Sequence, residues 1–102
     1  MPVIDMIPGR SVAVAATASS VGGAIDCTGC DRLYIANTST TVSVAVRFGV
    51  GAQTAVLTTD LMIPPMSYIV AGCNPTVTHV AAIGTAAGPT TVQFSPMPRG
   101  RD

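Results

Sequence analysis

The stretch that most constrains this chain is Arg32–Gly49, RLYIANTSTTVSVAVRFG. Leu33 and Ile35 fall on one face of a first extended run. Val42, Val44, Val46 and Phe48 fall on one face of a second. Successive side chains of a strand point to opposite faces, so apolar residues at every second position mark a half-buried sheet. Between the runs lies Asn37-Thr38-Ser39-Thr40, where Asn and Ser can hydrogen-bond their own backbone and turn the chain. The segment is therefore expected to form a central hairpin on which further strands pack.

Those strands can be placed in order. Ser11–Ala16 is one, with Val12 and Val14 sharing a face. Thr17–Gly23 reads as a turn or loop, and Ala24–Cys27 as a short strand ending at Thr28-Gly29. Val50–Thr59 is irregular and fits either a short strand at Ala55–Leu57 or a loop crossing between sheets. Leu61–Ile63 is stopped by Pro64-Pro65, which cannot donate to a ladder and so belongs at an edge or corner. Ser67–Ala71 follows, with Tyr68 and Val70 facing away from Ile69, then a turn at Gly72–Pro75. Thr78–Ile83 is a strand, Gly84–Pro89 a turn, and Thr90–Phe94 the last strand, with Val92 and Phe94 inward. The sum is a single all-β domain, a small β-sandwich or jelly-roll-like barrel of about seven or eight short antiparallel strands. It is expected over residues 11–95, between an extended N-terminal arm at 1–10, broken by Pro2 and Pro8, and a polar tail at 96–102.

Composition agrees and narrows the function. The 102 residues suffice for one small domain. Lys and Glu, which favour exposed helix surface, are absent; every basic residue is Arg and every acidic one Asp. Almost no helix is expected. Net charge is zero and only 10% of residues are charged, which excludes an electrostatic nucleic-acid binder that must neutralise phosphates. Zero net charge with 48% hydrophobic residues favours association. The start MPVIDMIPGRS lacks the basic and unbroken apolar regions of a signal peptide, and no run reaches the ~20 apolar residues of a membrane helix. The odd number of Cys gives no disulfide framework by itself and suits folding in a reducing cytosol.

Chemical motifs are sparse. Cys27-Thr28-Gly29-Cys30 is a C-x-x-C, and with Cys73 and His79 it composes a Cys₃His zinc set on paper. The plainer reading, adopted here, is that the cysteines flank turns and that there is no metal or other cofactor. A redox motif of thioredoxin type would need a helix after Cys30, and none is expected. His79 has no carboxylate or nucleophile beside it in sequence; Asp26 and Asp31 suit turn or capping roles. Gly49-Val50-Gly51 lacks the third Gly and the helix of a phosphate loop. Arg47, opposite the valines, reads as a solvated charge, with an inter-subunit ion pair as its functional alternative. No catalytic constellation emerges, and an enzyme is not expected.

Several stretches, taken together, resemble small virion proteins of tailed bacteriophages. They are Leu33-Tyr34-Ile35-Ala36-Asn37, a strand ending in Arg47-Phe48-Gly49, Leu61-Met62-Ile63-Pro64, Ser67–Val70, Thr78–Ile83 and Thr90–Phe94. The likeness runs over Arg10–Pro96 and lies in order and spacing. It implies a β-sandwich capsid decoration (cement) or minor capsid protein, or the base of a head fibre. Such a protein is made in the host bacterial cytoplasm and resides in the virion. Its implied partners are the major capsid protein or other virion proteins and copies of itself, as a trimer or other ring, with no nucleic acid and no membrane. A neck, tail or baseplate component is the alternative within the virion, and a soluble binding module with the Cys/His zinc set the alternative outside it. The residues expected to make assembly contacts are Val3, Ile4, Met6, Ile7, Leu61, Met62, Pro64, Pro65 and Met97, and attachment is assigned to the arm, the Val50–Pro65 segment and the tail. Deleting Met1–Arg10 is expected to leave a folded domain by circular dichroism that no longer joins its assembly in size-exclusion chromatography; loss of folding would overturn the assignment of the arm.

Overall fold

The computed structural model describes residues 10–86 and 89–98. They form eight strands and, among the described residues, no helix: β1 (Val12–Ala16), β2 (Val21–Ala24), β3 (Cys30–Asn37), β4 (Val44–Gly49), β5 (Leu61–Ile63), β6 (Tyr68–Gly72), β7 (His79–Gly84) and β8 (Thr90–Pro98). Two four-stranded antiparallel sheets result. Sheet A has the order β1-β8-β3-β6 and sheet B the order β2-β7-β4-β5. The pairings nest, with β4 on β5, β3 on β6, β2 on β7 and β1 on β8. This is the wiring of an eight-stranded jelly roll. The core lies between the sheets. Val14, Leu33, Ile35, Val92 and Phe94 contribute from sheet A, and Val44, Val46, Ile63, Val80 and Ala82 from sheet B.

Of the residues that alternation in Arg32–Gly49 turns inward, Leu33, Ile35, Val44 and Val46 are buried and Phe48 packs half-buried against the core, whereas Val42 lies in the connection before β4 and is only half-buried. The expected hairpin does not form. β3 pairs with β6 and β8, whereas β4 pairs with β5 and β7 in the opposite sheet. Residues 38–43 are an arch from one sheet to the other. Alternation states which face is buried, and a hairpin and an arch bury the same face; the choice is made by Asn37. Its side chain is buried, with Nδ2 donating to the carbonyls of Val42 (2.8 Å), Ile63 (3.1 Å) and Pro64 (3.2 Å). Its Oδ1 accepts from the Ser39 N–H at 3.0 Å. The β5–β6 connection runs beside this arch, tied by the Asn37 N–H to the Ser67 carbonyl and the Met66 N–H to the Ser39 carbonyl.

Other expectations shift as well. Thr17–Gly23 is not all loop, since Val21–Ala24 pairs with β7, and Ala24–Cys27 is not a strand beyond Ala24. The small residues of VGGA concealed this edge strand. Val50–Thr59 contains no strand and does not connect the two sheets, because β4 and β5 are neighbours in sheet B. It folds back along the outer side of that sheet. The Gly51 N–H donates to Thr78 Oγ1 (2.9 Å), the Ala55 N–H to Ser20 Oγ (2.8 Å) and the Val56 N–H to Asp60 (2.7 Å). Ala55 is buried, as are Ala45 and Ala81, whose alternation with inward residues aims them outward. Part of this loop therefore packs on its own chain, while Val50 and Val56 stay exposed. Arg47 is on the outer side as expected, but it is paired within the chain, its Nε 3.1 Å from the Asp60 carboxylate.

The last strand continues past Phe94 to Pro98, so 96–98 belongs to the domain and not to a tail. Among the described residues, Val12 opposite Phe94 is the last partner on the β1 side, and beyond it β8 pairs with β3 alone. Pro, which has no N–H to donate, is tolerated where a strand has a partner on one side only. Met97 is consequently a ladder residue opposite Arg32 and is wholly buried, so it makes no assembly contact.

Removing the Asn37 amide takes away the two N–H groups shared by the Val42, Ile63 and Pro64 carbonyls, of which the bond to Ile63 is buried and the other two are partly so. Asn37→Ala is expected to lower the unfolding free energy by about 3 kcal/mol, read from urea denaturation with an unchanged slope. A loss below about 1 kcal/mol, the worth of an ordinary exposed hydrogen bond, would show that the arch is held elsewhere.

Candidate functional site

Two groupings of side chains invite a functional reading, and they lie on different parts of the jelly roll. The first is the thiol cluster at the β3 end remote from Asn37. Cys27 lies in the β2–β3 connection, Cys30 opens β3 and Cys73 follows β6. The local sequence builds this end. The Asp26 carboxylate accepts from the Thr28 N–H (3.0 Å), Gly29 takes a left-handed φ of 77°, and the Cys30 N–H reaches the Cys27 carbonyl at 2.9 Å. A turn so built directs both cysteines inward, and Asp26 takes the turn role its residue type suggests. The Cys73 N–H then bonds the Asp31 carbonyl at 2.9 Å, prolonging the β3–β6 ladder. Cys27 and Cys30 are buried in the core and Cys73 packs against it.

The electrostatics follow. Burial, with the neighbouring Cys73 and Cys30 thiols and Asp26, pushes Cys27 up to about 12. Burial also raises Cys30, with Arg10 opposing it, and raises Cys73, with the neighbouring Cys27 thiol opposing it. Asp26 is lowered by the Thr28 N–H and hydroxyl and by Arg10, whose Nε lies 3.6 Å away. The zinc set does not assemble. His79 is on β7, its Nδ1 2.9 Å from Thr78 Oγ1, and among the described residues no three metal-ligating side chains form a metal-holding group.

The second grouping is apolar and exposed. Leu61 and Met62 of β5, Met66 of the connection, and Tyr68 and Val70 of β6 all stand in solvent, Met66 at 70% and Tyr68 at 54% of full exposure. β5 and β6 are the outermost strands of their sheets, and residues 64–67 join them. The residues thus lie on the edge strands of the two sheets and on the corner that joins them, Tyr68 and Val70 on the outer face of sheet A and Met62, opposite Ala45, on that of sheet B. Pro64 is exposed there and Pro65 partly so. The Tyr34 and Tyr68 rings lie 5.1 Å apart, tilted by 31°. Together with Ala36, Thr38, Met66 and Ser67 they line a shallow depression of about 270 Å³. The Thr38 hydroxyl donates to the Thr91 carbonyl and the Ser67 hydroxyl to the Pro65 carbonyl, so both protons are committed within the chain. Besides the phenolic hydroxyls of Tyr34 and Tyr68, the depression offers apolar contact.

Met66 sharpens this point. Its φ is +57°, the left-handed region, which costs a side-chain-bearing residue about 1 kcal/mol relative to Gly. The side chain contributes little to the fold at such exposure.

Of the expected assembly contacts, Leu61, Met62, Pro64 and Pro65 stand on this edge. Val3, Ile4, Met6 and Ile7 lie outside the described residues. Met66, Tyr68, Val70 and Tyr34 join them without having been expected. A signal for two of them was present: Tyr68 and Val70 alternate with Ile69 directly after a Pro-Pro corner, which places them on the outer face of an edge strand. Compared with protein families, curated proteins and solved structures, the chain matches none.

A thiol raised in the folded state favours the native fold while it stays protonated. For Cys27 this stabilisation is complete below its ordinary value of 9.0 and is lost as pH climbs towards about 12. Urea titrations under reducing conditions are expected to show stability falling from pH 9 upward, with Cys27→Ala flattening that fall. An unchanged slope in the variant would show that Cys27 does not govern it.

Proposed function

We propose that this chain is a non-enzymatic structural protein of a tailed-bacteriophage virion, a capsid decoration or minor capsid protein that binds through the β5–β6 edge. The observation that carries the proposal is the concentration of exposed apolar side chains on the β5–β6 edge, Leu61, Met62, Met66, Tyr68 and Val70. Exposed apolar surface gathered on one part of a fold marks an interaction site, whereas apolar residues scattered singly do not. Edge strands also present unpaired backbone groups that a partner can complete. Zero net charge and the absence of Lys remove the usual means of keeping such an edge solitary. The resemblance in strand order and spacing to small phage virion proteins supplies the setting, and the jelly-roll wiring suits it, since that fold recurs in viral capsid domains. Fold alone decides no function; the edge supports an assembly role because its chemistry is that of a contact surface.

The partners in this reading are the major capsid protein or another virion protein, and further copies of the chain in a trimer or other ring. In particles purified from the phage that encodes it, the chain is expected in stoichiometric proportion to the capsid subunit by mass spectrometry. The double substitution M62D/Y68D is expected to keep the circular dichroism of the parent and to lower incorporation by about tenfold or more, as for loss of an interface hot spot. Absence of the parent chain from particles, or normal incorporation of the variant, overturns the proposal.

A further inference from the structure

Sheet A ends at β6, and the backbone there has donors and acceptors to offer. The Asn37 N–H donates to the Ser67 carbonyl and the Cys73 N–H to the Asp31 carbonyl, each 2.9 Å. Ser67 and Cys73 thus turn their backbone groups towards β3. Ile69 and Ala71 between them do the same, because the residues of a strand serve its two sides alternately. Tyr68, Val70 and Gly72 point theirs outwards, where the sheet has no further strand. YIVAG holds neither a charge nor a proline, the usual means of blunting an edge. A Cβ on Gly72 would meet nothing within 4 Å, so the edge is unobstructed at that residue.

Residues 1–9, outside the described residues, have the sequence MPVIDMIPG. Between Pro2 and Pro8 stand five residues that carry an N–H, and β6 is five residues long. Pro2, Ile4, Met6 and Pro8 fall on one parity, and Val3, Asp5 and Ile7 on the other. A strand that turns the N–H groups of Val3, Asp5 and Ile7 to β6 therefore asks nothing of either proline. Set antiparallel, it places Val3, Asp5 and Ile7 opposite Gly72, Val70 and Tyr68, on the outer face, where Asp5 keeps its water. Ile4 and Met6 come opposite Ala71 and Ile69, which pack against the core.

The chain's own β6 is out of reach for these residues. A strand added there lies four strand spacings from β1, about 19 Å. The three residues from Ile7 to Arg10, just before β1, extend at most about 11 Å. Two nearer places fit the sequence poorly. Continuing β1 along β8 sets Arg10 opposite Pro96 and Pro8 opposite Pro98, where N–H groups are missing from the ladder. Folding back on β1 through a two-residue turn at Pro8-Gly9 sets Ile7 opposite Arg10 and Asp5 opposite Val12, on the face that packs against the core. A carboxylate is costly there.

We propose that residues 3–7 of one copy add as an antiparallel strand to β6 of a second copy. The proposal deepens the reading of the β5–β6 edge as a contact surface and rests on it. An arm given to one neighbour and an edge offered to another make a head-to-tail contact, which closes into a ring where the rotation permits.

The full chain is expected to show the mass of two or more copies in multi-angle light scattering. A chain lacking residues 3–7 keeps the edge without the arm. Val70→Pro keeps the arm and removes an N–H that β3 does not use. Each variant alone is expected at the mass of one copy, with the circular dichroism of the parent. Mixed, they are expected to form a one-to-one complex, which mere damage to the fold cannot produce. Where Val70→Pro fails to fold, p-benzoylphenylalanine at position 68 of the otherwise unchanged chain decides. In a mixture of isotopically light and heavy chains, its crosslink is expected to join position 68 of one copy to residues 3–8 of another. A crosslink within one copy or to another segment, folded variants that do not combine, or a parent at the mass of one copy overturns the proposal. If that happens while M62D/Y68D still loses incorporation into particles, the edge remains a contact surface for another partner. A complex on mixing with no parent chain in particles removes the virion reading alone.

Discussion

The structure hangs on one buried amide. Asn37 ends β3 at the point where the chain must leave sheet A, and its Nδ2 gathers carbonyls from the far side of the arch and from the end of β5. An inter-sheet arch strips backbone groups of their ladder partners, and in a buried position each unpaired group is costly. One side chain shares its two amide N–H groups among three carbonyls and accepts from the Ser39 N–H, so the crossing is satisfied locally. Because β4 and β5 pair, and β3 and β6 pair, fixing this arch also fixes its neighbour. The reciprocal bonds between Asn37 and Ser67 and between Ser39 and Met66 make the two crossings one unit. The corner that presents Met66 and the adjoining edge strands therefore owes its position to Asn37.

This explains what the sequence did and did not reveal. Which residues face the core was legible, because alternation is a property of the strand and does not depend on the partner. Leu33, Ile35, Val44, Val46, Val92 and Phe94 were all placed inward and are all buried. Strand partnership was not legible, because it is set by long-range pairing: β3 finds β8 and β6, far along the chain, rather than β4. Asn37 looked like a residue of a tight turn since its local hydrogen bond to Ser39 is that of a turn; its bonds to Ile63 and Pro64 come from the fold. β2 was missed because Gly22 and Gly23 suggest a turn and carry no alternation. The close approach at Gly22, where a Cβ would lie 3.1 Å from the Val80 carbonyl oxygen, shows why a small residue stands in that strand.

The same logic governs the candidate surface. Leu61, Met62 and the two prolines could be singled out because apolar residues beside a Pro-Pro corner are hard to bury. Met97 was misjudged because the residues around it, SPMPRGRD, read as a polar tail. The ladder opposite Cys30, Arg32 and Leu33 extends the strand through them. Composition tells how a segment would behave alone; the neighbouring strand decides whether it stays alone.

The two ends of β3 then answer different demands. At one end a neutral amide closes the arch with directional bonds that resist rearrangement. At the other, three thiols fill the space between the connections with soft, weakly polar atoms that pack like small apolar groups while protonated. A fold of this size has little stability to spare, and most of its polar closures are already taken by turns such as those at Asp26 and Asn74. The apolar edge leaves part of its side-chain surface in water, most of all at Met66 and Tyr68. Met66 even occupies a backbone conformation that a glycine would hold with less strain. In the assembly role proposed above, covering the edge accounts for the exposed part of these side chains and for the strained conformation at Met66.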